Sequence, residues 1–392
     1  MGLRLLKNRY EKIGLTLRTR EQFRLLVVRL GAMGDVLHAL PAVTALRLAH
    51  PHWRIDWVIE PKWRPLLATD LADTRPGMVR VDEHLAQRPV VDRIVLAPTK
   101  AWGKRPLSRE TRIGIGALRA ELRAGEYDAV LDLQGAIRSS VLARLAGCRR
   151  VIGDAEPWEK PARLLYTERV VTVGPHVIER NVELANAVAG DELEPEQPRL
   201  PVDEAAELWC DAIDELKIGA AEGRPVVLLH PGGGWGAKRW PADRYGIVAE
   251  ELSRRGALVL VHAGPGDEEV LARIAVATAH GRAGVISGSI AQLVALTRRV
   301  ALVIGGDTGP VHLACALGKP VVGLYGPTDP KRNGPFGCRS RVLRNAESRT
   351  DHTRREQPEA GLLTILPEAV MESVASLFLE EQREAQVEEE WL

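Results

Sequence analysis

Residues 305–329 read G-G-D-T-G-P-V-H-L-A-C-A-L-G-K-P-V-V-G-L-Y-G-P-T-D. One apolar, β-branched run, 300–304, ends where this stretch begins, and a second, 321–325, lies inside it. The residues between them have the composition of a short helix, so the order is strand, helix, strand: the parallel crossover of an α/β fold. Pro310 sits where the first turn of a helix tolerates a residue without an N–H. The loop before it therefore opens a helix N-terminus. Free backbone N–H groups and the positive end of the helix dipole favour a bound anion there by roughly 0.3 to 1 kcal/mol at an exposed site. A nucleotide diphosphate is the obvious candidate.

The same alternation extends in both directions. Upstream in this half, strands are expected at 226–229, 258–263 and 284–287, with helices between. A second series precedes it: strands at 24–30, 55–59, 93–96, 129–133, 151–153 and 170–173, closed by a helix over 177–189. Between the series, residues 191–203 (D-E-L-E-P-E-Q-P-R-L-P-V-D) carry three prolines and no periodicity, the composition of a linker. Two Rossmann-like domains facing an interdomain cleft follow, 23–195 and 196–380, because ligands of such sheets bind at the carboxyl ends of the strands. Residues 1–22 form a basic leader that fits either a membrane-surface helix or a disordered arm. Residues 381–392 read as an acidic tail or solvated helix end, and the polar segment 345–359 carries no assignable pattern.

The bulk numbers narrow the function. A chain of 392 residues with 45% apolar and 27% charged residues suits two soluble domains, and a net charge of +1 argues against a nucleic-acid binder held by bulk electrostatics. Four cysteines, Cys148, Cys210, Cys315 and Cys338, form no C-x-x-C pair, which fits a reducing cytoplasm. No apolar run is long enough to span a bilayer.

Several motifs fall at strand ends. After 24–30 comes G-A-M-G-D-V-L-H-A-L-P-A, in which Gly31 and Gly34 permit a tight turn and Asp35 enters the next helix. Asp35 is either a helix-capping acid or a general base at the cleft. After 226–229 the run H-P-G-G-G-W-G-A-K-R-W-P matches G-x-G-x-x-A, but Lys238, Arg239 and Trp240 intervene before Pro241 opens a helix. The dinucleotide fingerprint needs its helix to start inside the glycine loop, so Lys238 and Arg239 read instead as a phosphate clamp or as surface cations. Behind 258–263 lie Asp267 and Glu268, either of which suits a ribose hydroxyl or a helix first turn. Thr308 offers a hydroxyl to phosphate, and His312 is either a core histidine or a donor into the cleft. No Asp is followed two positions later by another, and His and Cys lack metal-ligand spacing, so chemistry without a metal or other cofactor is expected.

Taken together, residues 29–42, 132–139 (D-L-Q-G-A-I-R-S), 237–241, 264–269 and 306–330 resemble the ADP-heptose:lipopolysaccharide heptosyltransferases, and the M-G-D-V-L-H-x-L-P form is nearer the first heptosyltransferase than the second. The resemblance implies a GT-B fold and inverting transfer of L-glycero-D-manno-heptose from its ADP donor to Kdo-lipid A, the inner core of lipopolysaccharide. It makes Asp35 the general base and places Lys238 at the diphosphate and Glu268 at the ribose. Asp307, Thr308, Gly309 and His312 shape the sugar-diphosphate site, and Arg64 and Arg138 meet the acceptor. Its implied partners are an ADP-sugar and a lipopolysaccharide precursor, and the membrane-surface reading of the basic leader adds the inner face of the cytoplasmic membrane. The leader, residues 100–112 and residues 339–359 have no counterpart, and the glycine-rich 231–236 differs from the shorter loop of the first heptosyltransferase. Three alternatives stay open: a same-fold transferase with another sugar nucleotide or acceptor, a silent sugar-nucleotide-binding module, and a nicotinamide dehydrogenase, which the broken glycine fingerprint disfavours.

Overall fold

Strand-length apolar runs of this kind bury both faces, and in the computed structural model they form two six-stranded parallel sheets. The structure describes residues 22–69, 84–264, 268–277, 283–351, 353 and 355–390, so the leader lies outside the described residues. The first sheet comprises β1 (Arg24–Val28), β2 (Arg54–Ile59), β3 (Arg93–Leu96), β4 (Ala129–Asp132), β5 (Val151–Asp154) and β6 (Glu168–Val170), in the order β3-β2-β1-β4-β5-β6. The second comprises β7 (Val226–His230), β8 (Leu258–His262), β9 (Ala283–Ile286), β10 (Leu302–Gly306), β11 (Val321–Tyr325) and β12 (Ser340–Arg344), in the order β12-β11-β10-β7-β8-β9. Both follow the 3-2-1-4-5-6 order of a dinucleotide-binding sheet, counted within each half. Each therefore has one switch point, between its first and fourth strands, where the crossovers reverse and a crevice opens beyond the strand ends.

Two helices leave those switch points. Met33–Ala49 follows β1, and Gly309–Ala316 follows β10. They bury nearly every residue they have, from Val36 to Leu46 in one and Pro310 to Ala316 in the other. A helix apolar all round is a core helix, and Val36, Leu37, Leu40, Val311, Leu313 and Ala314 belong to one hydrophobic cluster that runs through both halves.

The structure departs from the sequence reading at two places, 170–173 and 340–344. Residues 170–173 contribute only Val170 to β6: Val171 and Val173 are 74% and 80% exposed, so the β-branched run lies in water past the edge strand. Strand β12, S-R-V-L-R, was not expected. Its arginines blunt a sheet edge, Arg341 bonding Glu380 and, at 2.9 Å, Ser376 of the last helix. That helix runs Pro367–Glu390, so 381–390 continue it, in keeping with the helix-end alternative. Residues 100–112 overlap two helices, Thr99–Lys104 and Arg109–Ala124.

Candidate active site where the two sheets meet

On the N-terminal side, the loop after β1 turns sharply. Gly31 has φ +137°, and a Cβ there would lie 2.4 Å from the Trp63 ring, so only glycine lets this loop rest on the turn Pro61–Leu66 that follows β2. Arg64 stands on that turn and donates to the Thr69 carbonyl at 3.0 Å. Asp35 occupies the first turn of Met33–Ala49. Its Oδ2 accepts from the Ala32 N–H at 2.9 Å, and its Oδ1 pairs with Arg29 at 2.9 Å while the side chain stays 49% exposed. Capping and availability thus coexist.

Arg29 is a residue the sequence reading passed over. Its guanidinium is buried at the end of β1, bonded to the Leu133 carbonyl of the neighbouring loop and to Asp35, with Nε lacking a partner among the described residues. A buried cation aimed at a half-exposed carboxylate fixes that carboxylate's direction.

The loop after β4, D-L-Q-G-A-I-R-S, is organised by its first residue. Asp132 is buried and accepts from the Gln134 N–H (2.9 Å), Ser139 Oγ (2.8 Å) and Tyr166 Oη (2.9 Å); burial pushes its carboxyl up despite these donors. Gln134 Oε1 in turn accepts from the Leu30 N–H at 2.8 Å, tying the loop to β1. The loop presents Arg138, exposed in the first turn of Ile137–Leu145. A cation at a helix N-terminus opposes the dipole, which makes it better suited to an anionic ligand than to supporting its own helix. Asp35, Arg64 and Arg138 thus follow three adjacent strands, β1, β2 and β4.

On the C-terminal side, Lys238 follows β7 and Asp307 follows β10, the two strands of the switch point. Glycines let the two loops close on each other: a Cβ at Gly306 would lie 2.9 Å from the Lys238 carbonyl oxygen. Lys238 Nζ lies 2.5 Å from Asp307 Oδ2 and 4.3 Å over the Trp235 ring. His312 Nε2 lies 3.0 Å from Asp307 Oδ1. Burial alone would raise the Asp307 carboxyl, but the hydrogen bond and charge of His312, then Lys238, outweigh it and hold it well below the usual carboxylate range. Thr308 is the N-cap of Gly309–Ala316, yet its hydroxyl donates to the Gly306 carbonyl at 3.1 Å instead of capping the helix. The helix mouth is left uncapped by its own side chain, as an anion site requires.

His312 does not project into open space; it is 6% exposed. Its second nitrogen, Nδ1, meets His38 Nε2 of the opposite half at 3.2 Å. Burial first, then the neighbouring His312 and His176, push His38 well below the ordinary histidine value. Beside it Gly309 admits Met33: a Cβ at Gly309 would lie 2.6 Å from the Met33 sulfur. The two switch-point helices are therefore in direct contact, carrying Asp35 on one side and the Asp307 cluster on the other. Glu268 begins the helix after β8, Glu268–Ala277, but its side chain lies outside the described residues. The glycine-rich loop packs under the segment that lacked a pattern, Ala237 donating to the Arg355 carbonyl at 3.0 Å.

Two Rossmann-type sheets that meet at their switch points, a carboxylate on one side and a cation-braced helix mouth on the other, define a glycosyltransferase of the GT-B fold. The chain belongs to glycosyltransferase family 9 (heptosyltransferase), whose profile matches residues 115–363. It is 29% identical to lipopolysaccharide heptosyltransferase 1 of Escherichia coli K12 over 359 residues, covering 90% of this chain and 100% of that protein. Lipopolysaccharide heptosyltransferase 1 of Pseudomonas aeruginosa is 29% identical over 324 residues, covering 81% and 82%. Among solved structures, E. coli heptosyltransferase WaaC with ADP superposes with a TM-score of 0.69 at 25% identity, covering 92% of this chain and 99% of that one.

Proposed function

We propose that this enzyme transfers L-glycero-D-manno-heptose from ADP-heptose to Kdo-lipid A, with inversion at the anomeric carbon and without a metal ion. The observation that carries the reading is the facing pair of halves: a half-exposed Asp35 held by Arg29, against a helix mouth braced by Lys238, Asp307 and His312. Asp35 takes the proton from an acceptor hydroxyl as that oxygen forms its bond to the anomeric carbon. The bond from that carbon to the β-phosphate oxygen breaks on the opposite face, and ADP leaves with the electron pair. Attack opposite the leaving group inverts the centre.

Lys238 and the N-terminus of Gly309–Ala316 stabilise the charge that develops on the diphosphate, the role a divalent cation plays elsewhere. The chain has no D-x-D to hold such an ion, and both oxygens of Asp307 are engaged by cationic or N–H partners. Arg64 and Arg138 lie on the N-terminal side with Asp35, where carboxylates and phosphates of the acceptor would need them. Glu268 belongs at the ribose. Domains of 23–195 and 196–380 carry the acceptor and the donor respectively. No helix among the described residues is long and apolar enough to cross a membrane, so a lipid acceptor is reached from the membrane surface, on the cytoplasmic side where the ADP-sugar is supplied.

Incubation with ADP-heptose and Kdo-lipid A, followed by mass spectrometry, tests the reading. One added heptosyl unit is expected. Turnover of a different sugar nucleotide, with Kdo-lipid A left unmodified, would overturn it in favour of a same-fold transferase of other specificity.

A further inference from the structure

We propose that His38 is a positioning residue for the donor site: from the N-terminal half it fixes the His312 ring, and through Asp307 it sets the Lys238 ammonium against the donor diphosphate. The inference rests on the reading that Lys238 meets that diphosphate. Three contacts in series carry it. His38 Nε2 lies 3.2 Å from His312 Nδ1, His312 Nε2 lies 3.0 Å from Asp307 Oδ1, and Asp307 Oδ2 lies 2.5 Å from Lys238 Nζ. All but the lysine are nearly fully buried.

An imidazole has two nitrogens, and the partner of one decides what the other presents. With Nε2 committed to Asp307, the only remaining handle on the His312 ring is Nδ1, and it is held by a residue of the other half. The two rings cross edge to face with centroids 4.3 Å apart. Gly34 keeps the third side clear, since a Cβ there would lie 2.8 Å from His312 Cδ2. His38 is itself held. The Asn181 amide donates to its carbonyl at 2.9 Å, and the His176 ring stands edge-on at 5.6 Å, its Nε2 3.1 Å from the Gly334 carbonyl oxygen. The charged and titratable groups that face His38 are His312 and Asp307 from the C-terminal half and His176 and Arg29 from its own. No other residue of the apolar stretch Val36–Leu46 offers a ring nitrogen to the donor site.

The consequence is that the donor cation is aligned only while the two halves touch. ADP binding by calorimetry and steady-state transfer kinetics test this on the full-length enzyme. His38→Leu should weaken ADP about tenfold and raise the donor KM by a similar factor, with a smaller change in kcat, and His38→Gln, which keeps an amide donor near Nε2, should recover most of the loss. In a Lys238→Met background His38→Leu should add less than about twofold, because its effect passes through that lysine. A folded His38→Leu enzyme with wild-type ADP affinity would overturn the proposal, as would an undiminished effect in the Lys238→Met background. Should His38→Leu fail to fold, Gly34→Ala displaces the His312 ring from the same N-terminal half, at Cδ2, and an unchanged donor KM in that variant would overturn it equally. Wild-type enzyme that binds no ADP would instead sink the donor-site reading on which this rests.

Discussion

Asp35 and Asp307 each stand at the switch point of their half and are opposites in chemistry. Asp35 follows β1 through the Gly31 loop into the first turn of its helix, whereas Asp307 directly follows β10 and precedes the N-cap of the helix that packs on the other half. Asp35 is half exposed and has one side-chain partner, the Arg29 guanidinium; Asp307 is 7% exposed and has two, the Lys238 ammonium and the His312 ring. The first keeps an oxygen near solvent, where a proton acceptor must be. The second spends both oxygens inside the protein, where a carboxylate serves to aim cations. One fold used twice thus yields a reactive acid and a structural one, and the difference lies in which residue types the neighbouring strands deliver.

The comparison can be broken most forcefully at Asp307. Asp307→Ala leaves the Lys238 ammonium without its counter-charge and the His312 ring without its Nε2 partner, and removing one partner of a buried ion pair typically costs about 3 to 5 kcal/mol. Chemical denaturation should show that loss together with abolished ADP binding; a stable variant that still binds ADP would make Asp307 a bystander. Lys238→Met is milder. It should weaken ADP by roughly tenfold to a hundredfold, as expected for one charge-assisted bond of about 1.5 to 3 kcal/mol, and calorimetry reads it directly. On the other side, Arg29→Met should free the Asp35 carboxylate to rotate and lower kcat about tenfold with ADP affinity unchanged. Arg29→Lys should sit between the variant and the wild type, and an equal loss of ADP affinity would place Arg29 in the donor site instead.

The smallest effect concerns pH. Burial holds His230 down to about 3 from an ordinary 6.5, with His262 adding to the shift, and His38 and His176 are lowered in the same direction. Below pH 6.5 the unfolded chain binds protons that the folded chain refuses, so stability is flat above that value and falls as the pH drops toward the folded values. Thermal melts at pH 7.5 and 5 should show the decline, and His230→Gln should make it shallower.

The fold was legible in the sequence wherever strands were buried on both faces, because those runs are continuously apolar. Strand β11, buried along its whole length, falls at the expected residues. Two of the four edge strands, β6 and β12, were not legible, for a physical reason: β12 is S-R-V-L-R, and its arginines serve the edge and the last helix in place of a core, while the Val-rich 170–173 lies mostly in water. At the site, residues on loops beside glycines were readable from type and spacing. Arg29 and His38 were not, since one closes a strand and the other sits in an apolar helix, where local pattern says only that they are buried. A trace existed: Asp35 and His38 are three apart, on one face of a helix. What sequence could not supply was the partner, because His312 lies 274 positions away.

The account's central claim, that the two aspartates divide proton removal from donor binding, is tested most directly in Asp35→Asn by measuring ADP affinity and transfer rate on the same preparation. The expected result is an ADP affinity within about twofold of wild type and a transfer rate lower by about 10² to 10⁴. Transfer at the wild-type rate, or loss of ADP binding in step with transfer, would contradict it.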